Sequence, residues 1–260
     1  MSMMIEMIRN KITHFLLAIM LLTSCREAPV TERKQLILIP ESSEMKLGED
    51  AFTKIIKEST LSKNQALIEK VRRVGKRIAK TANRPDYKWS FIVIEDDSTA
   101  NAFCLPGGKI GIYTGILPYT KDEKGLAAVI GHEVGHAIAR HGSERMSTAL
   151  LSQLGQVALN LFVDIDDPLV LDALNKAYGL ATGIGVILPF SRKQELEADR
   201  IGIILMNEAG YNPIGALEFW KRMKHWRKGK EPIVYISTHP VDDMRIAHIE
   251  KILQNQNAQK

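Results

Sequence analysis

Leu126 to Gly142 reads LAAVIGHEVGHAIARHG, and the rest of the chain is interpreted around it. Helix-forming residues run from Lys121 to Arg140. Asp122 is placed to cap the start, and Gly142 to stand just past the end as the C′ residue. Four residues separate His132 from His136, which puts them about 40° apart on one helical face, able to hold a single ion. Glu133 lies about 100° round from His132, off that ligand position but within reach of a water beside the ion. Leu126, Val129, Ile130, Val134 and Ile138 crowd both sides of the motif. The pattern predicts a buried helix, in which two histidines and a glutamate must have polar work to do.

H-E-x-x-H on a helix is a zinc-peptidase signature, with the histidines as ligands and the glutamate as general base. A catalytic zinc takes three protein ligands and keeps a fourth position open. A third histidine ten residues after the first is ruled out, because position 142 is glycine. His141 falls on another face and reads as a helix-terminus histidine. The remaining option is a glutamate on a separate helix downstream. SRKQELEADRIGIILMNEAGYNP, from Ser191, reads as such a helix, stopped by Gly210 and Pro213. Glu195 and Asp199 stand at i and i+4 on one face, while Glu197, the rival ligand, lies about 200° from Glu195.

The chain has 260 residues and a net charge of +5, enough for one domain with an ample core. Arg72, Arg73, Lys76 and Lys80 read as a solvated helix face. No aromatic-interleaved basic platform is present, so nucleic acid is not an expected partner. Residues 1–24 read as a signal peptide: Arg9, Lys11 and His14, then the short apolar run FLLAIMLL. LTSC, ending at Cys25, resembles a bacterial lipobox. It implies a lipid anchor on Cys25 and a place on the periplasmic face of a bacterial outer membrane. With Cys25 lipidated, Cys104 has no disulfide partner and is expected to be buried.

Residues 25–40 are expected to be a lipidated tether ending in a short extended piece, QLILIP, with 41–255 the catalytic domain and 256–260 a frayed tail. A helix is expected from Ser42 or Ser43 to about Ser59. Asn64 caps another to about Ala82, with Leu67, Val71, Val74, Ile78 and Ala82 at helical spacing. YKWSFIVIE reads as a strand, and NAFCLPGGKIGIYTG as a hairpin round Pro106-Gly107-Gly108. An apolar helix should start at Ser143. The glycine-rich 178–190 stretch is either a mobile lip over the cleft or a packing bend. IGALEFWKRMKHW reads as an amphipathic helix. A polar turn then carries STHP, and VDDMRIAHIEKIL closes the fold.

HEVGH followed by SRKQELEAD resembles the HtpX-type and CAAX prenyl protease-type gluzincin family, and the NAF to PGGKIGIYTG segment resembles that family's substrate-edge strand. With the lipobox, the resemblance leans towards LoiP-like and BepA-like periplasmic proteases, although the 260 residues contain no tetratricopeptide array. The resemblance implies a zincin-like, mainly α fold with a small β-sheet. It also implies one Zn2+ per chain on His132, His136 and Glu195, with Glu133 as general base and Asp199 orienting a ligand imidazole. It implies a substrate edge at Asn101, Ala102, Phe103, Gly107, Gly108 and Ile110. His239 and Arg245 resemble a pair placed across the cleft, where either donates to the developing oxyanion. Alternatively, His239 occupies the open zinc position and holds the enzyme latent, or is an ordinary turn histidine. The expected activity is endopeptidase cleavage of extended, unfolded or misassembled envelope proteins. The rival is a chaperone-like outer-membrane assembly factor with latent proteolysis and outer-membrane assembly proteins as partners. A structural zinc site is disfavoured because cysteine-rich ligation is absent.

Overall fold

The computed structural model describes residues 25–148, 191–226 and 234–258. The chain divides into two compact units, residues 1–40 with 143–182 and residues 41–142 with 183–260. The segment read as a signal peptide and the 178–190 stretch lie outside the described residues. Of the apolar helix expected from Ser143, residues 143–148 are described and are helical.

In the first unit, strand β1 (Cys25–Glu27) pairs antiparallel with β2 (Lys34–Leu36), Cys25 opposite Leu36. β2 overlaps the start of the extended piece expected at QLILIP, and its pairing with β1 makes the expected tether a hairpin. Its turn carries Val30 and Glu32 at φ of 70° and 53°. No Asn-Gly or Asp-Gly pair announces it, so the sequence concealed it. Arg33 donates to both oxygens of Glu144, at 2.6 and 2.8 Å.

The second unit begins with α1 (Glu41–Glu58) and α2 (Gln65–Thr81). The Asn64 side chain accepts from Leu67 N at 3.1 Å, and Val71, Val74 and Ile78 face the core, as the periodicity required. Strands β3 (Ser90–Ile94), β4 (Ala102–Leu105) and β5 (Lys109–Tyr113) make one sheet in the order β3-β5-β4. β3 runs parallel to β5, with Ser90 opposite Lys109. β4 runs antiparallel to β5, with Leu105 opposite Lys109. Gly107 and Gly108 turn the hairpin at φ of 79° and 81°, where a side chain would be strained. Ile110, expected on the substrate edge, is instead in the central strand and wholly buried. The parallel pairing with β3 occupies the side of β5 that the hairpin leaves open. The edge is β4, and among the described residues no strand pairs with its outer side.

After the short helix α3 (Leu117–Thr120), Lys121 takes a φ of 66°, and α4 runs from Glu123 to Ile138. Asp122 caps it, accepting from Gly125 N at 2.9 Å. Its far end differs from expectation. Arg140, not Gly142, adopts the left-handed conformation, at φ 56°, and residues 141–148 are already helical again. Every residue of α4 from Gly125 to Ile138 is buried. Helix α2, strand β4 and the later helices α5 (Arg192–Glu208) and α6 (Ile214–Trp226) enclose it. A short α7 (Val234–Thr238) takes in the Ser237 and Thr238 expected in the polar turn, leaving His239 and Pro240 after it. The last helix, α8 (Asp243–Ala258), continues through most of the tail that was expected to fray. The mainly helical α+β class expected from the sequence is the observed one. Among the described residues no helix is long and apolar enough to cross a membrane.

Candidate metal centre

Helices α4 and α5 cross where both are built of small residues. A Cβ added at Gly131 would lie 3.0 Å from Gly202 O, one at Gly135 2.8 Å from Ala198 O, and one at Gly202 2.9 Å from His132 N. Two backbones in direct contact bring the histidines of one helix against the carboxylates of the other. A capping box between Ser191 and Gln194 starts α5. That places Glu195 in its first turn, where the helix dipole favours a carboxylate.

Four buried donors converge: His132, His136, Glu195 and His239, their ligand atoms all within 4.8 Å of one another. His132 Nε2 is 3.1 Å from His136 Nε2 and 3.2 Å from His239 Nδ1. Glu195 lies 3.4 Å from His132, 3.3 Å from His136 and 3.0 Å from His239. A tetrahedron with zinc-to-ligand arms of about 2.0–2.1 Å has edges of about 3.3 Å, so these separations fit a zinc ion. The charges fit as well. Burial holds His136 well below the ordinary imidazole range, so it keeps a lone pair. Glu195 is held well below the usual carboxylate range, because the Arg245 guanidinium and His239 outweigh the cost of its burial. His132 is pushed up to about 9: burial and Arg245 oppose its charge, but hydrogen bonds to Asp199 and Glu195 win. A divalent cation among these donors would meet the Glu195 and Asp199 carboxylates with positive charge.

Around these donors stand the residues that aim them. Asp199 Oδ1 is 3.0 Å from His132 Nδ1. Arg245, expected as an oxyanion donor, is committed elsewhere. Its Nε and Nη2 donate to Asp199 at 2.5 and 2.8 Å, its Nη1 lies 2.5 Å from Glu195 and donates to the His239 and Pro240 carbonyls, and its guanidinium sits 3.6 Å over the Trp220 ring. With its fork occupied by two carboxylates it clamps the site from behind. His141 stands just past the end of α4 and outside the donor set, as expected, but it is fully buried, with Nδ1 2.8 Å from His136 Nδ1 and Nε2 2.9 Å from Glu197.

Glu133 faces the cluster from α4, and Tyr235 on α7 donates to its Oε1 at 2.7 Å. Sequence reasoning missed Tyr235 and Trp220, and it weighed His141 and Glu197 only as ligands to be set aside. Aromatics at helical spacing carry no signal that separates a site wall from core, and Trp220 and Tyr235 stack 5.6 Å apart as core residues would. Of the expected edge residues, Ala102 and Phe103 lie on β4, Asn101 just before it, and Gly107 and Gly108 in the turn. Cys104, expected to be buried, is a half-buried free thiol on the same strand, raised well above its ordinary range by burial and the neighbouring Glu133 charge. Cys25 lies at the start of β1. A cavity of about 210 Å³ opens beside Glu195, lined by Arg192, Leu196, Pro240, Asp242 and Arg245.

Comparison with known proteins agrees with this centre. The sequence profile described as peptidase family M48 matches residues 65–253. Mitochondrial metalloendopeptidase OMA1 of Schizosaccharomyces pombe is 36% identical over 237 residues, covering 89% of this chain and 67% of that protein. Mitochondrial metalloendopeptidase OMA1 of Arabidopsis thaliana is 37% identical over 196 residues, covering 74% of this chain and 38% of that protein. The beta-barrel assembly-enhancing protease of Escherichia coli K12 is 27% identical over 209 residues, covering 78% and 42%. The chain thus spans about two thirds of the first relative and less than half of the other two. These likenesses overturn the expected location on the periplasmic face of a bacterial outer membrane, since relatives from fission yeast, Arabidopsis, budding yeast and cattle are mitochondrial by name. A short apolar run before a cysteine was too slight a signal to carry that inference.

Proposed function

The chain belongs to peptidase family M48 and is a zinc metalloendopeptidase, and from that premise we propose that it cuts unfolded or misassembled polypeptides that dock as an extended strand along β4. The carrying observation is that β4, with no strand on its outer side among the described residues, packs against α4, the helix that carries His132, Glu133 and His136. An extended segment adds itself to such an edge by main-chain hydrogen bonds, and a folded protein has few segments to offer. The chemistry that zinc supplies when bound is Lewis acidity, which makes water a nucleophile near neutral pH. His132, His136 and Glu195 hold the ion. Glu133 takes the proton from the attacking water and returns it to the leaving amine. Tyr235 fixes the Glu133 carboxylate by its hydroxyl, and Arg245 keeps Asp199 and Glu195 in place. Incubating the zinc-loaded chain with one reporter protein, folded or permanently unfolded, tests the substrate class. Cleavage should be confined to the unfolded form and stop when zinc is chelated; equal cleavage of both forms would sink the proposal.

A second reading, an assembly factor whose proteolysis is held latent, is favoured by one observation. His239 stands in the fourth corner of the donor set, the place a reacting water needs. One similar protein is named for its part in beta-barrel assembly. His239→Ala separates the roles. If His239 is a latch that leaves the open state a minor population, its removal raises peptidase activity at least about tenfold. If it is an oxyanion donor, the same change lowers activity by about 10²–10³. The arrangement of donors favours the rise.

A further inference from the structure

His136 meets α5 twice. Its Nε2 lies 3.3 Å from Glu195 in the donor set. Its Nδ1 lies 2.8 Å from His141 Nδ1, and His141 Nε2 lies 2.9 Å from Glu197. Glu195 and Glu197 leave their helix on nearly opposite sides, yet the first meets this imidazole directly and the second reaches it through His141. The left-handed turn at Arg140 makes this possible by bending the chain back, so that the rings of His141 and His136 meet edge to face. All three side chains are buried.

We propose that His141 and Glu197 are positioning residues for the metal, a relay that holds His136 in the tautomer able to bind it. A carboxylate only accepts hydrogen bonds, and a neutral imidazole has one donor and one acceptor nitrogen. His141 therefore donates from Nε2 to Glu197, and its Nδ1 accepts. His136 must then donate from Nδ1, which leaves its Nε2 lone pair aimed among His132, Glu195 and His239. The opposite order, with hydrogen on His136 Nε2, points a hydrogen at the ion. Reversing the chain requires a donor where Glu197 stands or a second proton on His141, and either would show as hydrogen on His136 Nε2. His132 has its own acceptor in Asp199, so the two ligand histidines are oriented by separate carboxylates.

This rests on the metal site proposed above, and the test keeps the two apart. Glu197→Gln preserves size but can turn an amide N–H towards His141 Nε2, which allows the wrong order. Zinc affinity, measured by competition with a chelating dye, should fall about 10–100-fold while the metal-free chain keeps its thermal midpoint. Glu197→Asp, which still only accepts, should recover most of the loss. Nitrogen chemical shifts of the metal-free parent should place the His136 hydrogen on Nδ1, a readout independent of how well any variant folds. Unchanged affinity in folded Glu197→Gln, or a His136 hydrogen on Nε2 in the parent, overturns the relay alone. A parent chain that takes up no zinc overturns both the relay and the site.

Discussion

Glu133→Gln is expected to keep its zinc and its fold and to lose peptide hydrolysis by about 10²–10⁴-fold. Glu133 binds no metal in the donor set, so zinc content should not change. Glutamine has the same size, and its carbonyl can still accept the hydrogen bond that Tyr235 gives Glu133 Oε1 at 2.7 Å. Packing and position therefore survive, and the ability to take and return a proton is what disappears. Cleavage of an unfolded polypeptide under saturating conditions, with zinc content measured on the same sample, reads this directly. A variant that cuts at the parental rate would remove Glu133 from the mechanism.

Gly202→Ala should damage the site out of proportion to the single methyl it adds. The added Cβ would stand 2.9 Å from Gly131 C and from His132 N. Those are backbone atoms of α4, so no side chain can swing aside, and the two ligand-bearing helices must move apart. Overpacking of this kind costs about 1–3 kcal/mol of stability. The functional loss should be larger than the stability loss suggests. The His132 and His136 contacts with Glu195 are only 3.4 and 3.3 Å, and a misplacement near 1 Å at a reacting centre costs about 10²-fold in rate. Denaturant midpoints and zinc-dependent cleavage measure the two effects. Gly142→Ala is the matched control: among the described residues nothing lies within 4 Å of its new methyl, and it should leave both properties intact. Equal behaviour of the two variants would show that the helix crossing does not set the site.

Much of the centre was legible before any coordinates because its signals are local. Asp122 and Asn64 cap the helices they were expected to cap, since a cap depends only on the next three residues. Three-and-four spacing was enough to pair His132 with His136 and Glu195 with Asp199 on their faces. The hairpin round Pro106-Gly107-Gly108 was readable for the same reason. Ile110 was misplaced because strand order depends on β3, distant in sequence, claiming the other side of β5.

The amino-acid sequence alone determined on which helical faces the candidate ligands His132, His136 and Glu195 and their neighbour Asp199 lie, because helical periodicity and capping act within a few residues. Tertiary structure decided who meets whom. Two glycine-bearing helices in backbone contact join His136 to Glu195. A left-handed Arg140 delivers His141 to the back of His136 and Glu197 to His141. Arg245, which looked like a hand reaching for substrate, is held by Asp199 and Glu195 because a buried guanidinium must be met by buried carboxylates. Such partnerships are set by the close approach of segments far apart in the chain, and no local pattern records that approach.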